Sequence, residues 1–155
     1  MKGVRSPEGA KKSVESFVGD ELARGKIYYE ECDTGDLESV RNFAKKVQEK
    51  FPAIHLLINN GELKVLDKPK LKLSFLAGVM ATPYKETKDG FESQMAINYI
   101  GHFLLTHLLL PQLVKGSKNN DGKNSRIVNV SSCVHRVCDM NYEDFHFKSV
   151  RREVY

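Results

Sequence analysis

Polar residues suited to binding or proton transfer gather where apolar runs end. Asp33 follows a β-prone run over residues 27–32, Asn59 and Asn60 follow the apolar run 54–58, and Ser131 and Ser132 close the run 126–130. A carboxylate accepts hydrogen bonds, a carboxamide gives and accepts them, and a hydroxyl does either. When strands of this kind lie parallel, ligands sit beyond their carboxyl ends, where these side chains fall. Each residue also fits a plainer role. Asp33 and Asp36 suit the cap of a following helix, Asn59 and Asn60 suit a turn, and Ser131 with Ser132 suits local backbone satisfaction. His102 and His107 lie about one helical turn apart, with no carboxylate or cysteine at ligand spacing, so no metal site is expected. His135, His146, Tyr28 and Tyr29 have no better claim.

The elements that would position these residues alternate. Ser6, Pro7 and Glu8 have the chemistry of a helix start, Val14, Phe17, Val18 and Leu22 recur at helical spacing, and Gly25 is the matching stop. The short β-prone run follows, punctuated by Asp33, Thr34, Gly35 and Asp36. From Leu37 to Lys50 the helical period returns through Val40, Phe43, Ala44 and Val47, ending before Phe51 and Pro52. Residues 54–58 read as a strand buried on both faces. Thr87 opens a long helical region through Phe91, Met95, Tyr99, Phe103, Leu104 and Leu108, expected to break near Pro111. A polar loop, 115–124, leads to another buried-strand candidate, 126–130. Helix, strand, helix, strand is the pattern of βαβ units and an α/β fold with a parallel sheet.

The 155 residues suit a single domain, 1–155, and their 41% hydrophobic and 28% charged content is that of a globular protein with a core. The net charge of +4 comes from 24 basic and 20 acidic residues spread along the chain, a solvated surface rather than a nucleic-acid stripe, so no nucleic-acid partner is expected. The three cysteines, Cys32, Cys133 and Cys138, form no CxxC pair and read as reduced thiols. Residues 1–10 lack the apolar stretch of a signal peptide, and the run 103–110 is too short to cross a bilayer, so a soluble chain is expected.

A specific resemblance is carried by four ordered stretches: LLINN at 56–60, AGVM at 77–80, MAINYIGHFLLTHLLLPQL at 95–113 and RIVNVSS at 126–132. Together they resemble successive motifs of the short-chain dehydrogenases/reductases, closest to the retinol-dehydrogenase-like and chromosome-X-type members, over residue 3 to about residue 148. The resemblance implies a Rossmann-type, doubly wound parallel sheet, an NADP(H) or NAD(H) cofactor, and interconversion of a lipid-like alcohol and its carbonyl. It also implies roles. Asn98 helps hold an ordered water in the proton relay, and Ser132 hydrogen-bonds the reacting carbonyl, with Ser131 its neighbour. Asp33 contacts the adenine region. Asn59 and Asn60 with Ala77 and Gly78 correspond to the NNAG turn beside the cofactor. Arg5, after the second strand, is placed to pair with a 2′-phosphate and leans toward NADP.

Three departures stand against that pattern. No glycine-rich turn exists to hold a pyrophosphate on backbone N–H groups; the first strand and that loop are missing, and residues 1–4 supply only the end of strand two. With strand order 3-2-1-4-5-6 the missing strand is the central one, so strand three is expected to lack a neighbour or to move beside strand four. No YxxxK proton donor is present; Tyr155 has no lysine four positions on. Finally, residues 61–76 interrupt the NNAG turn, an insertion rich in Leu and Lys whose alternation at Leu71, Lys72 and Leu73 suits an extra strand. One hypothesis for its origin is a retained intron: Gly61, Glu62 and Leu63 are encodable as GGT GAG TTA, with a donor-like GTGAGT. Transcripts with no spliced form joining Asn60 to Ala77 would count against it.

Two functional expectations follow. Either the parent is an NAD(P)-dependent oxidoreductase of which this chain is a catalytically incompetent part, or the chain is a non-catalytic fragment that pairs with a full-length relative through the long helix, 98–113, as a dimer partner.

Overall fold

Asp36 starts the helix that anchors the core. In the computed structural model, which describes residues 2–4, 28–60, 72–75, 78–79, 82–118, 123–136 and 140–148, α1 runs over Leu37–Lys50, the span that the apolar spacing predicts. The Asp36 carboxylate accepts from the Glu38 and Ser39 amides at 2.9 and 3.2 Å, satisfying two of the free N–H groups at the helix start. Val40, Phe43, Ala44 and Val47 bury one stripe. That stripe joins Cys32, Ile54, Leu57, Leu105, Leu109 and Leu113 in the core.

The strands are β1 (Lys2–Val4), β2 (Tyr29–Glu31), β3 (Leu56–Asn59), β4 (Lys72–Phe75) and β5 (Arg126–Asn129). They form one parallel sheet in the order β2-β1-β4-β3-β5. A partial Rossmann-type sheet is therefore present. The expectation that strand three lacks a neighbour is wrong: β2 pairs with β1 from Lys2↔Tyr29 to Val4↔Glu31. β1 is in turn joined to β3 through β4, a strand from inside the 61–76 insertion.

Other boundaries shift for local reasons. The strand expected over 54–58 is Leu56–Asn59. Ile54 is buried, but its N–H donates to the Gln112 carbonyl at 2.9 Å and its carbonyl accepts from Ser125 Oγ at 2.9 Å, so it is pinned in a loop beneath a helix. β3 buries Leu57 and Asn59 and leaves Leu56 and Ile58 half-buried, not both faces sealed. β5, expected to be buried, is exposed at all four positions. Its outer edge meets no strand among the described residues.

The long helix begins at residue 93 rather than at Thr87. Thr87 instead closes a turn, with the Gly90 N–H bonded to its carbonyl at 3.0 Å, and Gly90 takes φ +82°, a region open to glycine without strain. Glu92, almost fully buried, caps the start: its carboxylate accepts from the Gln94 and Met95 amides at 3.0 and 2.8 Å. A short α2 (Ser93–Met95) passes through a π-helical turn (Ala96–Ile100) into α3 (Gly101–Lys118). Pro111 does not break α3. It is exposed and removes one N–H from the ladder, and the turns on either side continue.

Two glycines let α3 lie close to its neighbours. A Cβ on Gly101 would overlap the Thr34 carbonyl oxygen, and one on Gly116 would overlap that of Ile54. The helix expected over residues 6–25 lies outside the described residues.

Candidate functional site

Asn59 ends β3 on the buried side of the sheet, opposite Asn129 of β5 in the parallel register. Its amide nitrogen donates to Asn129 Oδ1 at 2.7 Å and to Thr106 Oγ1 of α3 at 2.8 Å. Two strands and a helix are thereby tied at the carboxyl end of the sheet. The Asn59 side-chain oxygen is buried with no hydrogen-bond partner. An acceptor in that state costs about 1–3 kcal/mol until a donor reaches it, so this atom calls for a water or a ligand N–H or O–H. Asn60 follows immediately and is half-buried.

Beyond β5, the Val130 N–H donates to the Asn59 carbonyl at 2.9 Å and extends the ladder past the strand end. This brings Ser131 and Ser132 to the carboxyl rim, both exposed. The Ser132 carbonyl accepts from the His135 amide at 3.4 Å, across a 3-10 turn, Cys133–Arg136.

Asn98 sits in the π-helical turn. A π turn carries one residue more than an α turn and recurs at functional sites. The Asn98 side chain is used twice by one residue: Oδ1 accepts from the Val79 N–H at 2.9 Å, and Nδ2 donates to the Val79 carbonyl at 2.8 Å. This clamp fixes the backbone next to Gly78, which is exposed. The Asn98 carbonyl lies 3.1 Å from His102 Nδ1. Burial pushes the His102 pKa down, and the weaker opposing pull of that carbonyl does not restore it, so the ring favours its neutral form.

Asp33 does not cap α1. Its carboxylate accepts from the Gly35 N–H at 2.9 Å, its own N–H donates to Ser39 Oγ at 2.9 Å, and its carbonyl accepts from Asp36 N–H at 3.1 Å. The resulting turn brings Gly35 against Ile97 and Thr34 against Gly101, so the Asp33 loop and the Asn98 turn stand side by side. Lys88 locks the same corner through ion pairs to Asp36 at 2.9 Å and Glu38 at 3.2 Å, and Asp89 accepts from the Leu37 N–H at 3.0 Å. Burial pushes the Asp36 carboxyl up, but the hydrogen bonds from Lys88, Ser39 and Glu38 outweigh it, and its pKa lies below the ordinary value.

Arg5 and Ala77 lie outside the described residues. Of the rest, the fold draws Asn59 and Asn60 to the carboxyl end of β3, brings Ser132 just past β5, and sets Asp33 beside the turn of Asn98. Sequence reasoning missed Thr106, Asn129, Glu92 and Lys88. The signal for Asn129 was its register with Asn59 once two parallel strands are paired; nothing local marks the others. Among the described residues no group of three or more His, Cys, Asp or Glu could hold a metal ion.

The profile of the short chain dehydrogenase family matches residues 4–142. The chain belongs to that family. Its relatives include polyprenol dehydrogenase from Homo sapiens, 37% identical over 86% of this chain and 35% of that protein. The Danio rerio polyprenol dehydrogenase is 41% identical over 76% of this chain and 31% of its own length. Retinol dehydrogenase 12 from Bos taurus is 33% identical over 86% and 35% respectively. The chain thus spans about a third of these relatives. Among solved structures, an uncharacterized protein from Mycobacterium paratuberculosis is similar with a TM-score of 0.66 and 32% identity, over 98% of this chain and 43% of that one.

Members of the family work with a nicotinamide dinucleotide. The residues here fit one end of such a cofactor: the Asn59 oxygen offers an acceptor, and exposed Gly78 lies beside the Val79 backbone that Asn98 holds. The pyrophosphate end fits poorly. The central strand of the sheet, β4, is followed in sequence by Leu76, Ala77, Gly78 and Val79, a single glycine where a cradle of backbone N–H groups needs several.

Proposed function

We propose that these 155 residues carry the cofactor-facing and carbonyl-facing middle of an NAD(P)-dependent oxidoreductase for a lipid-like alcohol or carbonyl, and that alone they do not turn over. The observation behind this reading is the set of polar groups at one end of the parallel sheet: Asn59 with its unpartnered oxygen, Asn98 clamping Val79, and Ser132 just past β5. Ser132 is the residue proposed to hydrogen-bond the reacting carbonyl. The Asn98 side chain is a positioning group, and its carbonyl is the part proposed to hold a relay water. Asn60, Ala77 and Gly78 are proposed to line the cofactor, with Asp33 toward its adenine end and Arg5 toward a 2′-phosphate. The lipid-like substrate class is carried over from the polyprenol and retinol dehydrogenases. These 155 residues hold no glycine-rich turn and no YxxxK motif, and that supports the proposal that by themselves they do not turn over.

Titration of the purified chain with NADPH and NADH, followed by assay with retinal and a polyprenal, tests this. Weak or no saturation and no product formation are expected. Tight NADPH binding with turnover would overturn the claim of incompetence.

A second reading has its own support. Tyr99, Phe103, Leu110 and Val114 are 54%, 64%, 41% and 53% exposed along the outer side of the long helix. Large apolar side chains aligned this way suit a partner surface, so the chain also fits a non-catalytic role in which it pairs with a full-length relative. Co-expression with a full-length relative, with and without Phe103→Glu, decides it. A complex that the substitution leaves intact would reject this surface.

A further inference from the structure

β4 stands out of chain order in the sheet. It pairs with β3 through Leu56↔Lys72, Leu57↔Leu73, Ile58↔Ser74 and Asn59↔Phe75, and with β1 through Lys2↔Ser74 and Gly3↔Phe75, all parallel. In a doubly wound sheet ordered 3-2-1-4-5-6, the place between the second and fourth strands belongs to the first. Here β1 and β3 hold those two positions, and β4 occupies the place between them.

Removing β4 would split the sheet. β1 and β2, three residues each, would be left as a two-stranded ribbon without a sheet partner, held to the rest where Tyr28 and Cys32 at the ends of β2 pack against α1. Both β1 and β3 would expose a row of unpaired N–H and C=O groups facing a gap one strand wide. The sequence that fills the gap suits it: Lys72, Leu73, Ser74 and Phe75 alternate polar and apolar and contain neither glycine nor proline. The connection from Asn59 to Lys72 is residues 60–71, about the dozen that a parallel crossover requires.

We propose that the gap between β1 and β3 is a strand-accepting site, held in cis by residues 72–75, and that it takes the same segment when supplied as a separate peptide. Its ligand class is an extended, parallel, alternating peptide, recognised through main-chain hydrogen bonds on both edges. The insertion is then a structural member of the sheet, whatever its origin. Excising residues 61–76 joins Asn60 directly to Ala77 and regenerates an uninterrupted NNAG turn, yet it vacates the centre of the sheet.

Hydrogen exchange on the whole chain is the first test. Amides of residues 73–75 are expected to exchange at least about tenfold more slowly than in the free peptide, as ladder-bonded amides do. Exchange at the free-peptide rate would overturn the proposal. The second test adds a synthetic peptide of residues 68–77 to a variant lacking 61–76. Amides of 2–4 and 57–59 are expected to lose protection in the variant and to regain it saturably with the peptide, but not with a peptide carrying Leu73→Pro, which cannot donate within a central strand. Undiminished protection in the variant without peptide, or no recovery at saturating peptide, refutes it. Where the deletion variant does not stay in solution, the full chain carrying Leu73→Pro replaces it, with the same two outcomes.

Discussion

Replacing Gly116 with alanine sets two effects of opposite sign against each other. Glycine inside a helix costs roughly 1 kcal/mol relative to alanine, so at an open position the change would stabilise. At 116 the added methyl overlaps the Ile54 carbonyl and comes within 2.8 Å of Ser125 Oγ. Overpacking of this kind costs about 1–3 kcal/mol. The backbone cannot retreat freely, because Ile54 donates to Gln112 at 2.9 Å and accepts from Ser125 at 2.9 Å. Moving it strains two hydrogen bonds worth about 0.5–1.5 kcal/mol each. The losses exceed the propensity gain, for a net destabilisation of about 2–3 kcal/mol. With a urea slope of about 1–3 kcal/mol per molar, the midpoint should fall by roughly 1 M at unchanged slope. Lys115→Ala, one exposed position away, should stay within about 0.5 kcal/mol. An unchanged or raised midpoint for Gly116→Ala would refute the close approach of α3 to the loop before β3.

Asp36 has a pKa below its ordinary value of about 3.9, so its stabilising contribution is complete above that value and is lost as pH falls through the folded-state pKa. Urea midpoints measured from pH 6 downward should therefore converge for wild type and Asp36→Asn at the acid end; a constant gap would contradict the capping role. Burial, reinforced by the charge of Asp33, pushes the Cys32 thiol up to about 12, so peptide mapping after brief native alkylation near pH 8 should find Cys133 modified and Cys32 untouched. Equal labelling would mean that the core around Cys32 opens readily. In Asn98→Leu the Val79 amide loses its acceptor and should exchange faster by about tenfold, whereas Asn98→Asp keeps that acceptor and should not. Equal exchange in both variants would argue against the clamp.

What the sequence disclosed divides along a physical line. Local chemistry was readable: α1 starts after Asp36 and ends at Lys50 as its cap and apolar period require. The parallel sheet was readable from alternation, and Asp33, Asn59 and Ser132 were correctly placed near strand ends. Features set by distant partners were not. Ile54 has the composition of a strand residue, but Gln112 and Ser125 claim its backbone. Ile127 and Val128 look like core, yet their burial depends on what lies beyond β5. Pro111 suggests a break only if the flanking turns have nothing to hold them, and here Leu109 and Leu113 are buried on either side. The place of residues 72–75 in the sheet is a matter of topology, which four residues of alternating pattern do not encode.

The two rims of the sheet differ in a way that governs how the chain fails when crowded. The β2 rim is three residues long; Glu30 is paired with Lys46 at 2.7 Å, and exposed Glu31 is the charge that repels an approaching copy. The β5 rim presents Ile127, Val128 and Val130 at 40%, 42% and 55% exposure, and Arg126 is the one charged side chain on that strand. A sheet with one adhesive rim and one repellent rim is monovalent. When two copies join rim to rim, the adhesive surface of both is consumed and nothing remains to propagate. Association through the sheet should therefore stop at pairs, visible in light scattering as a plateau at twice the chain mass rather than as steady growth toward fibres.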